Sequence, residues 1–161
     1  MSSKQPEIII MVGLPRSGKT SRVNKYLEEN PQTVPVCSDD IRKALRVGFD
    51  RRLEPFVWTV AYTMARALLY RKLNVIIDNT NITRAERRRW IEIGNEFEAK
   101  ISFNICNLPE TESGLQELRL RADMAGYPDF LIDYMHKKYE PPTPDEICSE
   151  SYSEIVEGSF L

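Results

Sequence analysis

Three short stretches hold residue types whose spacing suits phosphoryl chemistry: GLPRSGKT at 13–20, SDDIR at 38–42 and VIID at 75–78. The first satisfies G-x-x-x-x-G-K-[ST], a P-loop, in which Gly13 and Gly18 let backbone N–H groups turn inward around an anion. The helix after it points its positive end at the same spot. Lys19 is then expected to reach the β- and γ-phosphates of ATP, and the Thr20 hydroxyl to hold Mg²⁺. Leu14, Pro15, Arg16 and Ser17 complete the expected ATP-binding loop. The pattern does not require Arg16, which either lies over the phosphates or points to solvent.

Asp78 ends an apolar run and is expected to anchor Mg²⁺, directly or through water, at the carboxyl edge of a sheet. Asn79, Thr80 and Asn81 are expected to shape the turn behind it. No Glu follows Asp78 to polarise a water, and Asn-Lys-x-Asp, the base-reading signature of GTPases, is absent. A site that avoids hydrolysis and holds another acceptor is a kinase. The attacking hydroxyl must lose a proton, and a carboxylate in hydrogen-bond reach can accept it. Of the neighbouring Asp39 and Asp40, one is expected to face the acceptor. The other, Asp40, is expected to cap a helix starting at Ile41.

The elements that must position these groups alternate. EIIIMV, TVPVC, NVIID and KISFNIC read as strands, SEIVEG as a weak one, and the intervening segments carry apolar residues at helical spacing. The expected fold is α/β, a mainly parallel sheet covered by helices on both faces. In the helical segment from Pro55 to Leu73, Phe56, Val57, Val60, Ala61, Met64, Leu68 and Leu69 form the apolar stripe. A last helix is expected to turn Leu131, Tyr134 and Met135 inward. Arg84, Arg87, Arg88 and Arg89 read as solvated helix surface, with a strand-binding face as the alternative. Trp90 reads as core, and so do Phe56, Trp58 and Tyr62, although one of the last three could stack on a base. Arg51 and Arg52, in the irregular stretch 46–54, either meet acceptor phosphates or lie in solvated loop.

The 161 residues suit one domain over 1–161, and the 42% hydrophobic and 29% charged content is ordinary for a globular chain. No run approaches a membrane span of about 20 apolar residues. Three scattered cysteines and a single histidine give no zinc pattern, and reduced thiols in a cytoplasm are expected. The net charge of −2 argues against a general polyanion binder, but a tail from Glu140 carries six acids and no Lys or Arg, leaving +4 on the rest.

With these residues set out, the chain resembles the kinase domain of polynucleotide 5′-hydroxyl kinases of the phage and animal repair type, within the small P-loop kinases. GLPRSGKT, SDDIR, VIIDNTN, RAERRRW, Leu118-Arg119 and KKYEPPTPDE carry the resemblance. It implies that Asp39 is the general base, that Arg42 grips a phosphate of the acceptor strand, and that Arg119 opens an arginine-bearing lid over ATP, at about 115–128. Where the family carries a second lid arginine this chain has Asp123, and Arg121 is the nearest substitute. Cys37-Ser38 stands where Asn-Arg often precedes the base. Family members join this domain to phosphatase, ligase or other end-healing domains, and a kinase domain alone is expected here. The implied acceptor is the 5′-OH of DNA or RNA, in nucleic acid repair. A kinase for a metabolite, nucleoside or antibiotic is the first alternative, and a nucleotide-dependent binding module the second. The sequence leaves the oligomeric state open.

Overall fold

Strand β1 (Glu7–Val12) is buried on both faces, so its residues sort by parity into two cores. Ile8, Ile10 and Val12 enter the larger core, while Ile9 and Met11 enter the smaller one. The computed structural model describes residues 5–106, 108–147 and 152–158. The same alternation recurs in β3 (Asn74–Ile77), where Val75 and Ile77 oppose Ile76, and in β4 (Lys100–Cys106), where Ile101, Phe103 and Ile105 oppose Cys106. With β2 (Thr33–Val36) and β5 (Tyr152–Gly158) these strands form a five-stranded sheet in the order β2-β3-β1-β4-β5, with every pairing parallel. Pro35 lies in β2, at one edge of the sheet, where a missing N–H is tolerated.

Helix α1 (Lys19–Glu29) packs Val23 on the smaller core. On the other face lie α3 (Glu54–Tyr70), through Val57, Ala61, Ala65 and Leu69, and α4 (Arg84–Glu96), through Trp90, Ile91 and Ile93. Gly94 lets α4 come close, because a Cβ there would lie 2.9 Å from atoms of Ile8 and Ile101. Phe56 and Met64, expected in the α3 stripe, are 52% and 37% exposed. They flank an inner row of small and branched residues that already fills the space.

A third cluster sits over the carboxyl edge. Helices α5 (Glu112–Met124) and α6 (Leu131–Lys138) bring Leu118, Ala122 and Ile132 against Leu14 and Ile82. Ile132 is the buried residue of α6, whereas Tyr134, expected inward, is half exposed.

Helix α2 (Ser38–Ala44) starts three residues earlier than expected. Asp39 and Asp40 both lie in its first turn, so Asp40 does not cap a helix at Ile41. The N-cap residue, Cys37, supplies no side-chain bond. Ser38 N–H instead donates to Asn79 Oδ1 at 3.1 Å, a partner 41 positions away that no local pattern reveals.

The arginine-rich helix α4 also departs from a solvated surface. Arg87 is fully buried, donating through Nε and Nη2 to both carboxylate oxygens of Glu146, each at 2.8 Å, and through Nη1 to Asn81 O at 3.0 Å. Arg84 donates to Thr143 Oγ1 (2.7 Å) and Asp145 Oδ2 (2.8 Å), and its own N–H donates to Glu140. The acidic segment therefore folds back onto α4, where Thr143 and Glu146 cap a 3-10 turn (Pro144–Glu146) and Ile147 enters the core. Arg88 and Arg89 are exposed.

Candidate active site

The loop after β1 turns sharply into α1. Gly18 holds φ 89° and Arg16 φ 63°, both left-handed. Gly13 has no room for a side chain, since a Cβ would sit 2.8 Å from Ser17 Oγ and 2.9 Å from Cys106 Cβ. No side chain caps α1, so the N–H groups of its first turn face an open loop. Arg16 is exposed, whereas Leu14 and Ser17 are buried. Leu14 thus serves packing rather than contact with a nucleotide through its side chain.

Lys19 is buried, and its Nζ donates to the carbonyls of Gly13 (3.0 Å) and Leu14 (2.7 Å), spanning the loop from within. Burial pushes its pKa down, opposed by the fields of Cys106, Asp78 and Asp39. On the next strand Asp78 is also buried, and burial pushes its carboxyl up, against the pull of Thr20 and Lys19. Thr20 Oγ1 donates to Asp78 Oδ2 at 2.9 Å. A hydroxyl and a carboxylate in contact beside an open anion cradle form an all-oxygen donor set that suits Mg²⁺. Buried Asn79 Nδ2, with no hydrogen-bond partner among the described residues, is a further polar group at this edge.

The turn after β3 is built by the two asparagines. Asn79 Oδ1 accepts from Ser38 N–H and from the Ser38 hydroxyl (2.6 Å), clasping the start of α2. Asn81, at φ 46°, donates through Nδ2 to Met11 O (2.7 Å) and accepts through Oδ1 from Trp90 Nε1 (3.0 Å). Gly13 N–H donates to Thr80 O at 2.9 Å. These bonds lock the P-loop strand to the Asp78 strand.

Asp39 is 61% exposed at its side chain, and its charge acts on both Lys19 and Asp78. Asp40 acts on Asp78 as well, and pairs with Lys43 at 2.9 Å. Arg42 Nη1 donates to Asp39 Oδ1 (2.6 Å) and Ser38 Oγ (3.2 Å), while Nε and Nη2 donate to the two oxygens of Glu54 (2.8 and 2.7 Å). The hydrogen bonds to Glu54 are the main reason the Arg42 guanidinium is held more firmly protonated than usual. Most of its donors are thus directed at the protein; the sequence reading did not anticipate Glu54. Arg52 folds onto Asp50 (2.8 Å), and Arg51 is exposed.

On α5, Arg119 donates to Asp133 Oδ1 (2.7 and 3.0 Å) and Glu112 Oε1 (2.5 Å), and those bonds raise its pKa further. Arg121 pairs with Glu117 on the same helix. Neither arginine is bonded to the P-loop. Cys37 and Cys106 are free thiols whose pKa values burial pushes up, and Cys148 lies outside the described residues. Among the described residues no helix is long and apolar enough to cross a membrane, and no group of three or more His, Cys, Asp or Glu is placed to hold a metal.

Comparison with known proteins agrees with this architecture. The family profile of the AAA domain matches residues 8–142. The bifunctional polynucleotide phosphatase/kinase of Schizosaccharomyces pombe is 29% identical over 89% of this chain and 32% of its own length. The human heterogeneous nuclear ribonucleoprotein U-like protein 2 is 26% identical over 92% of this chain and 22% of its own. The chain thus spans about a third or less of the curated relatives it matches. A chain in the structure of the Pnkp1/Rnl/Hen1 RNA repair complex superposes with a TM-score of 0.70 at 26% identity, covering 84% of this chain and 47% of that one. The APS kinase CysC of Mycobacterium tuberculosis, solved with AMPPNP and APS, shares the fold at a TM-score of 0.57 and 17% identity over 96% of this chain and 91% of its own. By the match over residues 8–142, the chain belongs to the AAA domain family, with a P-loop kinase-like fold and the sequence likeness to polynucleotide kinases that SDDIR and VIIDNTN suggested.

Proposed function

We propose that the protein is a kinase that passes the γ-phosphate of ATP to a hydroxyl, with the 5′-OH end of DNA or RNA as its acceptor. The observation that carries this reading is the edge that Asp39 shares with the phosphate loop: Asn79 clasps Ser38, the neighbour of Asp39, next to Asp78, whose carboxylate accepts from Thr20 at 2.9 Å. The 29% likeness to a polynucleotide phosphatase/kinase supports the acceptor class.

In this reading the loop of residues 13–20 wraps the phosphates, and Lys19 leaves the carbonyls of Gly13 and Leu14 to meet them. Thr20 and Asp78 would hold Mg²⁺, which would supply positive charge to offset that of the transferring phosphoryl group. Asp39 orients the acceptor hydroxyl and takes its proton as the new O–P bond forms and the β–γ bridging bond breaks, leaving ADP. Arg42 holds Asp39 in place, and its remaining N–H is free for an acceptor phosphate; Arg51 and Arg52 flank that approach. Arg119, with Arg121 nearby, closes the lid of residues 115–128 by exchanging Glu112 and Asp133 for phosphate oxygens.

A small-molecule acceptor is the second reading. It is favoured by the commitment of the Arg42 and Arg52 donors to Glu54, Asp39 and Asp50. Incubation with γ-labelled ATP and, separately, a 5′-OH oligonucleotide or a metabolite panel tests both. Label on the oligonucleotide is the expected result. Label only on a metabolite overturns the first reading, and label on neither overturns both.

A further inference from the structure

We propose that Phe49 is a stacking platform for the nucleobase next to the reacting hydroxyl, so that the acceptor end this site takes carries a base. The inference rests on the kinase reading and narrows its substrate. The segment 46–53 joins α2 to α3, and the Arg42–Glu54 fork clasps it close to its two ends. Phe49, inside it, is 73% exposed. A single exposed phenyl ring is ordinary; its position here is not.

The ring centroid lies 6.0 Å from Cζ of Arg42, the residue whose Nη1 is 2.6 Å from Asp39. Cation–π attraction keeps the ring by the guanidinium, which Glu54, Ser38 and Asp39 anchor from other sides. The exposed ring and the carboxylate that would take the acceptor's proton thus share one guanidinium, Arg42. Leu45, Leu53 and Phe56, around the two helix ends that the segment joins, are exposed as well, which adds apolar surface to the approach. A polyol or sugar acid offers hydroxyls and charge, which such a surface does not match. A purine or pyrimidine offers a π-face, which it does.

Two other aromatic residues of this region, Trp58 and Tyr62, are engaged elsewhere. Trp58 and Tyr62 stack at 6.0 Å, and Tyr62 meets Trp90 at 4.8 Å, all against the larger core.

The test uses three proteins, wild type, Phe49→Ala and Phe49→Trp, and 5′-OH oligonucleotides that begin with a normal, an abasic or a 2-aminopurine nucleotide. Expected for wild type is a KM about tenfold lower for the normal than for the abasic end, the loss that removing one base–aromatic stack gives. Phe49→Ala should bring the normal end up to the abasic KM, and Phe49→Trp should keep the gap. Binding should quench 2-aminopurine in wild type and Phe49→Trp only. Transfer that ignores both the base and Phe49 overturns the inference while the kinase reading stands. If wild type transfers to no oligonucleotide, the nucleic-acid acceptor reading falls, and the quench decides alone: dependence on Phe49 upholds the stack, and its absence overturns it.

Discussion

Asn79 Oδ1 receives two hydrogen bonds from Ser38, one from the backbone N–H at 3.1 Å and one from the hydroxyl at 2.6 Å. The clasp joins the end of β3, where Asp78 stands, to the first turn of α2, where Asp39 stands. The spacing between Asp78 and Asp39 thus depends on one amide. Asn79→Ala strands two buried donors, costing about 1–3 kcal/mol each. The expected result is a kcat reduced about tenfold or more with ATP affinity changed less than about threefold. Equal losses in both, by calorimetric ATP titration and steady-state kinetics, would show a general collapse of the edge instead.

Asp39→Asn keeps the shape of the side chain and removes the proton acceptor. Transfer should fall by about 10²–10⁴-fold, the range for a general base, while ATP binding stays nearly intact. Because the amide oxygen of the substituted side chain can still accept from Arg42, a folding defect is not expected. Normal turnover would refute the role given to Asp39.

Burial holds the Asp78 carboxyl above its ordinary range, so the folded protein binds that proton more tightly than the unfolded chain. The sign follows: ionised Asp78 costs stability, a cost absent well below pH about 4 and fully present above the raised pKa. Asp78→Asn should therefore melt at a higher temperature than wild type at neutral pH without Mg²⁺ or nucleotide. The gap should close on acidification, and Mg²⁺-dependent nucleotide binding should be lost. A lower melting temperature at pH 7 would mean that the Thr20 and Lys19 contacts outweigh desolvation.

The Arg87–Glu146 pair is 0% and 2% exposed at its side chains. Removing one partner leaves a buried charge, at about 3–5 kcal/mol, whereas an apolar pair of similar volume is near neutral. Glu146→Ala should unfold at markedly lower urea, and Arg87→Met with Glu146→Leu should recover most of the loss. If the double variant is no better than Glu146→Ala, the bond from Arg87 to Asn81 O carries the stability instead.

Arg119 is held by two carboxylates, Glu112 and Asp133. Arg119→Ala should lower kcat strongly, by about 10³-fold if it acts on the transferring phosphoryl group. Asp133→Asn loosens the restraint and should leave kcat equal or higher. A kcat loss in Asp133→Asn matching that of Arg119→Ala would recast Arg119 as a structural residue.

Strands, helix order and the P-loop were legible because each writes itself locally, as apolar runs, periodicity and glycine spacing. GLPRSGKT and VIID predicted the Lys19, Thr20 and Asp78 neighbourhood for that reason. What stayed hidden were partners distant along the chain. Ser38 as the start of α2 depends on Asn79, burial of Arg87 depends on Glu146, and the orientation of Arg42 depends on Glu54. An arginine in RAERRRW reads as surface until an acid some sixty positions later reaches it. Phe49 escaped notice because a lone aromatic residue in an irregular stretch has no period.

Leu14 occupies a position the P-loop pattern leaves blank, yet its side chain is 1% exposed and shares a cluster with Leu118, Ala122 and Ile132. Helices α5 and α6 are thereby rooted in the P-loop itself. If they close over a bound nucleotide, as proposed above, this one aliphatic contact makes closure and binding favour each other with equal free energy.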